Sequence, residues 1–332
     1  AYEIPKRDWS SDVCSSDLGF FVLYSMPSLV LRLLSSLYAR IVARRNRRFD
    51  NGSGVLSADI PVISIGNIST GGTGKSPLVI EVVRLLMDLH RTPAVVSRGY
   101  GRSSRGVLVV SDASSVLVGV AAAGDELSMI ARVLPNCVVV ASEQRFLGIQ
   151  RAKRLYNIDV AVIDDGFQHR QCARVCDIVI VDRSTLDHPS LIPVGVLREP
   201  LSSLSRASLV CITGNVKEHE VRSYTSAPVV RLHTAVDQWL RYDQHGAKNT
   251  SAPREALLVC AIAHPERVRE TCEESMVRVV GEHSFRDHHV YDERDVREII
   301  QHAHKQRCRA FVVGDRKSTR LNSSHVSESR MP

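Results

Sequence analysis

Short apolar runs alternate with amphipathic or polar stretches between residues 60 and 214. The runs are rich in Val and Ile and end in Gly, Ser, Asp or Arg, which is typical of buried strands bounded by turns. Residues 77–90 follow the first run with the spacing of an amphipathic helix. This alternation predicts an α/β fold in which helices cover both faces of a parallel sheet. The predicted strands lie at 60–68, 92–100, 136–142, 158–166, 176–183 and 207–214.

The pattern changes near residues 228–255, where the chain becomes polar and rich in turn residues. Residues 256–275 then begin a new unit of strand, loop and helix. We therefore predict a core from 49 to 228 and a smaller α/β domain from 229 to 314. The length supports this division, because 332 residues are enough for two domains of ordinary size.

The most apolar segment lies near the amino terminus, at residues 18–38. A helix from Leu18 to Leu31, just before the first charge, would span about 21 Å at roughly 1.5 Å per residue. That is shorter than the roughly 30 Å hydrocarbon core of a bilayer. We predict a membrane-associated helix and basic stretch over 18–48; the alternative is a buried helix followed by a basic surface turn. Arginines that would suit an anionic lipid surface follow the apolar part, at Arg40, Arg44, Arg45, Arg47 and Arg48.

The two ends of the chain differ from the rest in composition. Residues 1–17 and 315–332 are rich in Ser, Arg and Asp and show neither helical nor strand periodicity. We expect both segments to be non-native and leave them out of the fold prediction. The same expectation implies that the smaller domain lacks its natural end.

Charge and cysteine content narrow the classes of partner. The chain carries 43 basic and 36 acidic residues, a net charge of +7, which favours a nucleotide, a nucleic acid or an anionic membrane as partner. Aromatic residues make up only 5% of the chain, which leaves few stacking platforms for nucleic acid, so we expect no nucleic acid to bind.

The closest approach to a metal pattern is His169, Cys172 and Cys176, but no second Cys/His pair follows. We therefore expect reduced, buried cysteines.

A glycine-rich stretch joins the first predicted strand to the first predicted helix, which is the setting of a phosphate-binding loop. Its glycines would let backbone N–H groups point at phosphate oxygens, and Lys75 would reach the β- and γ-phosphates. The hydroxyl of Ser76 would be a ligand of Mg²⁺. A glycine usually opens such a loop, and Ser69 stands in its place; the alternative is a glycine-rich turn with a surface lysine. The predicted nucleotide contacts are Ser69, Thr70, Gly71, Gly72, Thr73, Gly74, Lys75 and Ser76.

Acidic side chains at two further points are candidates for chemistry. Asp164 and Asp165 end an apolar strand, and their hard oxygens suit Mg²⁺ beside a phosphate loop. The alternative is a pair of solvated acids at an Asp-Gly turn. Asp125 precedes a predicted helix and is either its N-cap or a general base for a hydroxyl nucleophile. Asp287, His288 and His289 form a cluster whose local sequence does not decide its role.

The order of these motifs resembles that of the tetraacyldisaccharide 4′-kinase family, the lipid A kinases of Gram-negative bacteria. The resemblance covers about residues 20–314. In that family the phosphate loop lacks its first glycine, which accounts for Ser69, and an N-terminal membrane-associated helix is present. The motifs that carry the resemblance are SIGNISTGGTGKSP, VVSRGYGR, GDE, DDGFQH, GVLREPLSSLSRA, AIAHPERV and FRDHHVYDERD.

The resemblance implies a P-loop NTPase-like fold and transfer of the ATP γ-phosphate to the 4′-hydroxyl of a tetraacylated disaccharide 1-phosphate, giving lipid IVA. It implies ATP and Mg²⁺ as cofactors and a location on the cytoplasmic face of the bacterial inner membrane. Asp125 would accept the hydroxyl proton and His288 would pair with it, while Lys75 holds the phosphates. The headgroup or nucleotide site would be lined by Tyr100, Arg145, Gln168, His169 and Glu199.

Two departures and one rival class accompany the resemblance. Residues 183–190 read RSTLDHPS where the family carries Gly-Asn, and the expected motif after residue 315 is replaced by the foreign-looking tail. The rival is a P-loop GTPase or ATPase switch at the membrane, which would use the same glycine-rich loop and aspartates. A guanine-specificity motif of the NKxD kind would favour it, and the sequence has none.

Overall fold

The computed structural model describes residues 28–233, 236, 239–243, 246–261, 265–286, 289, 291–308 and 310–314. The two predicted non-native ends, the predicted helix before residue 28 and His288 lie outside these residues. The described residues form two compact units. One contains residues 28–98, 105–118 and 134–232; the other contains residues 99–104 and 119–133 together with those after 232. The domain boundaries given above stay a prediction.

The first unit is built on a sheet of eight described strands in the order β3-β4-β2-β5-β1-β6-β7-β8. All neighbouring pairs are parallel except β3 with β4, which is antiparallel, so the predicted parallel sheet gains an antiparallel edge strand. The strands are β1 (Val62–Asn67), β2 (Pro93–Ser97), β3 (Leu108–Asp112), β4 (Val138–Ala141), β5 (Val160–Asp164), β6 (Cys176–Val181), β7 (Leu209–Ile212) and β8 (Val229–Arg231).

Helices connect these strands and begin where the apolar runs end. Those of the first unit are α1 (Ser28–Asp50), α2 (Lys75–Asp88), α5 (Arg145–Leu155), α6 (Arg183–Asp187) and α7 (Glu218–Arg222). The short α3 (Val120–Ala123) and α4 (Asp125–Val133) belong to the second unit. A 3₁₀ turn covers Leu201–Arg206.

Burial shows that the central strands are covered on both faces. Val96 and Ile163 pack against Ile149 of α5, whereas Val95 and Val162 point to the opposite face by strand alternation and are equally buried. This explains the continuous apolar runs in the sequence. Six of the seven described cysteines are buried.

The register of the two central strands positions the chemistry. β1 runs between β5 and β6 and is parallel to both, with Ile65 opposite Asp164. The carboxyl ends of β1 and β5 therefore lie side by side. The glycine-rich loop that follows β1 and the aspartates that end β5 meet at this edge, which is where open parallel sheets bind ligands.

The helix α1 includes both the end of the predicted membrane-associated segment and the basic stretch that follows it, without interruption up to Asp50. The basic residues therefore lie on a helix and not in the surface turn of the alternative interpretation. Its inner face, which includes Tyr38, Val42 and Asn46, is half-buried or buried against the core. Within the described residues, no helix combines the length and apolar character needed to cross a bilayer.

The second unit contains a smaller parallel sheet in the order β12-β11-β13. Its strand residues Leu258 and Cys260 pack with Cys272 of one helix, while Leu257 and Val259 pack with Ile299 of another, so β11 is buried on both faces. The elements are β9 (Trp239–Asp243), β10 (Gly246–Thr250), β11 (Glu255–Cys260), α8 (Pro265–Glu274), β12 (Arg278–Ser284), α9 (Glu293–Lys305) and β13 (Phe311–Gly314).

Candidate active site

The glycine-rich loop between β1 and α2 takes a backbone path that glycine permits. Gly71 and Gly74 have φ values of 100° and 83°, a region that a side chain disfavours. Gly74 directly precedes Lys75, the first residue of α2. The N-terminal amides and positive dipole end of α2 thus face the same space as the loop, which suits an anion.

Hydrogen bonds tie the first half of this loop to residues 196–198. The amide of Thr70 donates to the carbonyl of Val196 at 2.7 Å, and the amide of Arg198 donates to the carbonyl of Ile68 at 2.7 Å. Ser69, which replaces the usual glycine, is fully buried, and its hydroxyl lies 3.1 Å from that of Thr185. The serine side chain therefore fastens the loop, a role that glycine could not perform.

Four polar side chains converge where the loop meets the end of β5. The Nζ of Lys75 lies 3.3 Å from Asn67 Oδ1 and 3.4 Å from Asp165 Oδ1. The guanidinium of Arg198 donates to both carboxylate oxygens of Asp165, at 2.9 and 3.0 Å, and also to Asn67 Oδ1. Its Nε donates to the carbonyl of Ser69 at 2.8 Å. Arg198 thus joins the phosphate loop to the aspartate pair.

The two aspartates have different surroundings. Burial would raise the pKa of Asp165, but the charges of Arg198 and Lys75 outweigh burial and hold that pKa far below its usual range. Asp165 adopts a left-handed backbone with φ of 48°, which turns the chain away from the strand. Asp164 is fully buried and accepts a hydrogen bond of 3.0 Å from Ser97 Oγ. Asp165 is therefore ionised across the physiological pH range, with Arg198 and Lys75 as its partners.

Three of the predicted lining residues lie beside this cluster. Gln168 donates to the carbonyl of Asn67 at 2.8 Å, and the backbone amide of Arg145 lies 3.4 Å from His169 Nε2. Arg145 is 5% exposed and donates to the carbonyls of Ser142 and Glu143. Burial lowers the pKa of Arg145 to about 10, against the opposing charges of Asp165 and Asp164, so its guanidinium remains positive.

His169 is held neutral by burial and by the positive charges of Arg145, Arg174, Arg45 and Arg98, which lower its pKa from 6.5 to about 3. Below pH 6.5 the unfolded chain therefore binds a proton that the folded chain does not, and the stability contributed by His169 is lost as the pH falls towards 3. We expect the free energy of unfolding, measured by urea denaturation, to fall less between pH 7 and pH 5 in His169→Gln than in the parent. An identical pH dependence in both proteins would contradict this account.

Glu199 has surroundings unlike those of the loop residues. It is fully buried, and its carboxylate accepts hydrogen bonds from Asn46 at 2.6 Å, Arg206 at 3.0 Å and Ser203 at 3.2 Å. Arg45 lies 3.5 Å away. Its side chain therefore joins α1 to the core, and the headgroup or nucleotide contact implied by the resemblance stays a prediction.

Asp125 and Tyr100 belong to the second unit. Asp125 is the first residue of α4, and the carbonyl of Gly124 accepts the first intrahelical hydrogen bond, so Gly124 and not Asp125 occupies the N-cap position. The carboxylate of Asp125 lies at the positive end of the helix dipole, and its role as a general base stays a prediction. The preceding Gly124 has φ of 87°, and a Cβ there would lie 2.7 Å from the carbonyl oxygen of Tyr100. A side chain at residue 124 would therefore force the backbone of Tyr100 and the start of α4 apart. The ring of Tyr100 is half-exposed.

The donors at the loop and strand ends fit a magnesium ion. Asp164, Asp165 and the Ser76 hydroxyl are hard oxygen ligands at the end of β5 and the start of α2. Within the described residues no group of three or more His, Cys, Asp or Glu side chains forms a metal cage. Mg²⁺ does not need such a cage, because it commonly takes one or two carboxylates and completes its shell with substrate phosphates and water.

Comparison with known proteins decides between the kinase and switch interpretations. Residues 27–330 match the family described as tetraacyldisaccharide-1-P 4′-kinase. The chain belongs to this family. The tetraacyldisaccharide 4′-kinase of Chlorobaculum parvum is 38% identical over 291 residues, covering 84% of this chain and 80% of the relative. The one from Anaeromyxobacter is 35% identical over 321 residues, covering 91% and 84%.

A solved member of the tetraacyldisaccharide-1-P 4′-kinase family gives the same result. The LpxK structure from Aquifex aeolicus, in complex with ATP, is 30% identical and aligns with a TM-score of 0.63 over 78% of this chain and 84% of that one. As a member of this family the chain is an ATP-dependent lipid kinase that uses Mg²⁺. The switch-protein alternative receives no support.

Sequence reasoning passed over two residues of this site. Asn67 and Arg198 were not among the candidates, although they contact Lys75 and Asp165 respectively. Arg198 lies in the same quoted stretch as Glu199, but 33 residues separate it from Asp165. The only local signal for Asn67 in the sequence is that a polar residue stands at the end of an apolar predicted strand.

Proposed function

We propose that the chain uses these residues to phosphorylate the 4′-hydroxyl of a tetraacyldisaccharide 1-phosphate, giving lipid IVA in lipid A biosynthesis. The observation that carries the proposal is the cluster of Lys75, Asp165, Arg198 and Asn67 at the edge of a glycine-rich loop. Two cations and an ionised carboxylate placed within hydrogen-bond reach suit a triphosphate with its bound cation. The family membership supports the choice of acceptor.

In the proposed transfer, the 4′-hydroxyl oxygen forms a bond to the γ-phosphorus while the bond to the β–γ bridging oxygen of ATP breaks. Asp125 accepts the hydroxyl proton, and His288 pairs with Asp125. Lys75 interacts with the charge that develops on the phosphate oxygens, and the loop amides hold the β-phosphate. Mg²⁺ neutralises charge on the β- and γ-phosphates when it is bound.

The remaining assignments concern binding. Ser69 to Ser76 would surround the phosphates, and Ser76, Asp164 and Asp165 would hold Mg²⁺ or its water ligands. Arg145, Gln168 and His169 would line the substrate site, and Tyr100 is a further lining residue that the resemblance implies. Because the guanidinium of Arg145 is buried and positive, it would attract a phosphate group more strongly than an exposed arginine does.

Radiolabelled ATP tests the proposal directly. The parent protein is incubated with Mg²⁺, γ-labelled ATP and the tetraacyldisaccharide 1-phosphate in detergent, and the lipids are separated by thin-layer chromatography. We expect the label in a lipid bisphosphate, and none when an acceptor lacking the 4′-hydroxyl is used. Release of labelled phosphate without lipid labelling would contradict the proposed acceptor.

We further propose that α1 docks on the anionic surface of the inner membrane, on the cytoplasmic side where ATP is available. An apolar stripe runs along its outward face from Leu29 to Ile41: Leu29, Leu33, Leu37 and Ile41 are between 54% and 68% exposed. The second half carries arginines instead, up to Arg47 and Arg48 in the last turn. An apolar stripe followed by basic residues fits a helix that lies at the level of anionic headgroups.

A charge placed on the apolar stripe should detach the protein from membranes. We expect the double variant Leu33→Glu/Leu37→Glu to lose most of its flotation with vesicles of phosphatidylethanolamine and phosphatidylglycerol. The control is Leu85→Glu, because Leu85 is 60% exposed on α2, away from the stripe. Equal flotation of all three proteins would show that α1 is not the docking surface.

A further inference from the structure

The inner face of α1 reaches the residues that hold the phosphate loop. Tyr38 Oη donates to the carbonyl of Arg198 at 2.9 Å. Asn46 Nδ2 donates to the carboxylate of the next residue, Glu199, at 2.6 Å. Tyr38 and Asn46, which lie about two turns apart on α1, thus bind two consecutive residues. Tyr38 binds the backbone carbonyl of Arg198, and Asn46 binds the side chain of Glu199.

The same two residues contact the nucleotide loop on their other side. The amide of Arg198 donates to the carbonyl of Ile68 at 2.7 Å, and its guanidinium reaches Asp165 and the carbonyl of Ser69. The position of that guanidinium therefore depends on where the backbone at 198–199 is held. This backbone is held by the phosphate loop, by the 3₁₀ turn after it and by α1.

The burial of Glu199 explains why this attachment is strong. Its carboxylate is fully buried and takes hydrogen bonds from Asn46, Ser203 and Arg206. An ionised carboxylate without such donors would be costly to bury, so each donor that is removed loosens the segment that contains Arg198. Arg206 is fixed in turn, since its guanidinium lies 4.6 Å from the centre of the Phe167 ring.

We infer that Tyr38 and Asn46 of α1 are positioning residues for nucleotide binding, which act by holding Arg198 against the phosphate loop. The inference rests on the proposed nucleotide site, and it extends that site to a helix for which the sequence predicts a membrane-associated or a buried role but no nucleotide contact. A conformation in which the guanidinium of Arg198 has moved away from the phosphate loop binds Mg-ATP poorly. The apparent dissociation constant then rises in proportion to the fraction of protein in that arrangement.

The test measures Mg-ATP affinity in detergent without lipid acceptor. Tyr38→Phe keeps the ring and removes only the hydroxyl, and we expect it to raise the Kd for Mg-ATP by roughly threefold, within the range set by one lost hydrogen bond. Asn46→Ala should raise it by a similar factor. The matched control is Tyr156→Phe, because Tyr156 directly follows α5, packs against the core cluster that contains Ile149, and makes none of the contacts described above. The control should keep the parent Kd.

Steady-state kinetics separate positioning from general damage to the fold. A positioning role predicts a raised KM for Mg-ATP with most of kcat retained, whereas partial unfolding would lower kcat per milligram and leave KM unchanged. The inference is overturned if Tyr38→Phe and Asn46→Ala bind Mg-ATP with the parent Kd, or if Tyr156→Phe weakens binding equally. A parent protein that binds no Mg-ATP would refute the proposed function instead.

Discussion

Replacing Lys75 with alanine should lower the rate of lipid phosphorylation by roughly 10²- to 10³-fold, the usual effect of removing one group that stabilises transition-state charge. Lys75 is the cation at the start of α2, within 3.4 Å of Asp165 and 3.3 Å of Asn67. The variant removes a charge that acts on both bound and reacting phosphates, so the Kd for Mg-ATP should rise as well. Initial rates with labelled ATP and a separate binding titration give the two quantities.

Two further variants show whether the position of Lys75 matters beyond its charge. Lys75→Arg keeps the charge but changes the donor geometry, so it should recover only part of the activity. Lys153→Ala is the control, because Lys153 is a surface residue of α5 paired with Asp59 at 3.6 Å. Parent-like activity in Lys75→Ala would remove the phosphate loop from the mechanism.

Replacing Asp125 with asparagine should lower kcat by roughly 10²- to 10⁴-fold, the contribution expected of a general base, and leave the Kd for Mg-ATP close to that of the parent. The reason is that the proposed base acts on the acceptor hydroxyl only as the new bond forms. Asparagine keeps the size of the side chain at the first position of α4, and the N-cap residue Gly124 is unchanged. Loss of activity therefore cannot be attributed to a missing cap.

Glu126→Gln is the matched control for this substitution. Glu126 follows Asp125 in the first turn of α4, so the control removes the same charge from the same helix end. We expect it to retain far more activity than Asp125→Asn. If Asp125→Asn instead loses nucleotide binding and keeps its turnover at saturating ATP, Asp125 belongs to the nucleotide site and is not the base.

The parts of the site that follow from local sequence were predictable. The run at 60–68, the glycines and the helix at 77–90 became β1, the loop and α2, because strand, turn and helix signals act over a few residues. The adjacency of this loop to Asp164 and Asp165 also followed, since parallel strands bring their carboxyl ends to one edge. The edge strand β3 was missed; unlike the central strands it is only partly buried.

The long-range contacts were not predictable from local patterns. Arg198 meets Asn67 across 131 residues, and Asn46 meets Glu199 across 153. Neither pair has a sequence signal, because the contact depends on how the whole sheet folds. The basic end of α1 illustrates the same limit: its charges do not tell which residues face the core, yet Arg45, Asn46 and Phe49 are half-buried and the helix continues to Asp50.

Because α1 has an exposed apolar face and an inner face that contacts the site, deleting this helix would have two opposite effects. Deleting residues 28–50 would remove the exposed leucines that promote aggregation in water, an obvious route to better solubility. The same deletion would withdraw Asn46 from the buried carboxylate of Glu199 and Tyr38 from the carbonyl beside it. A shortened, well-behaved protein would therefore hold its nucleotide more weakly than the full chain does, and inhibitors ranked against it would be ranked on an altered pocket.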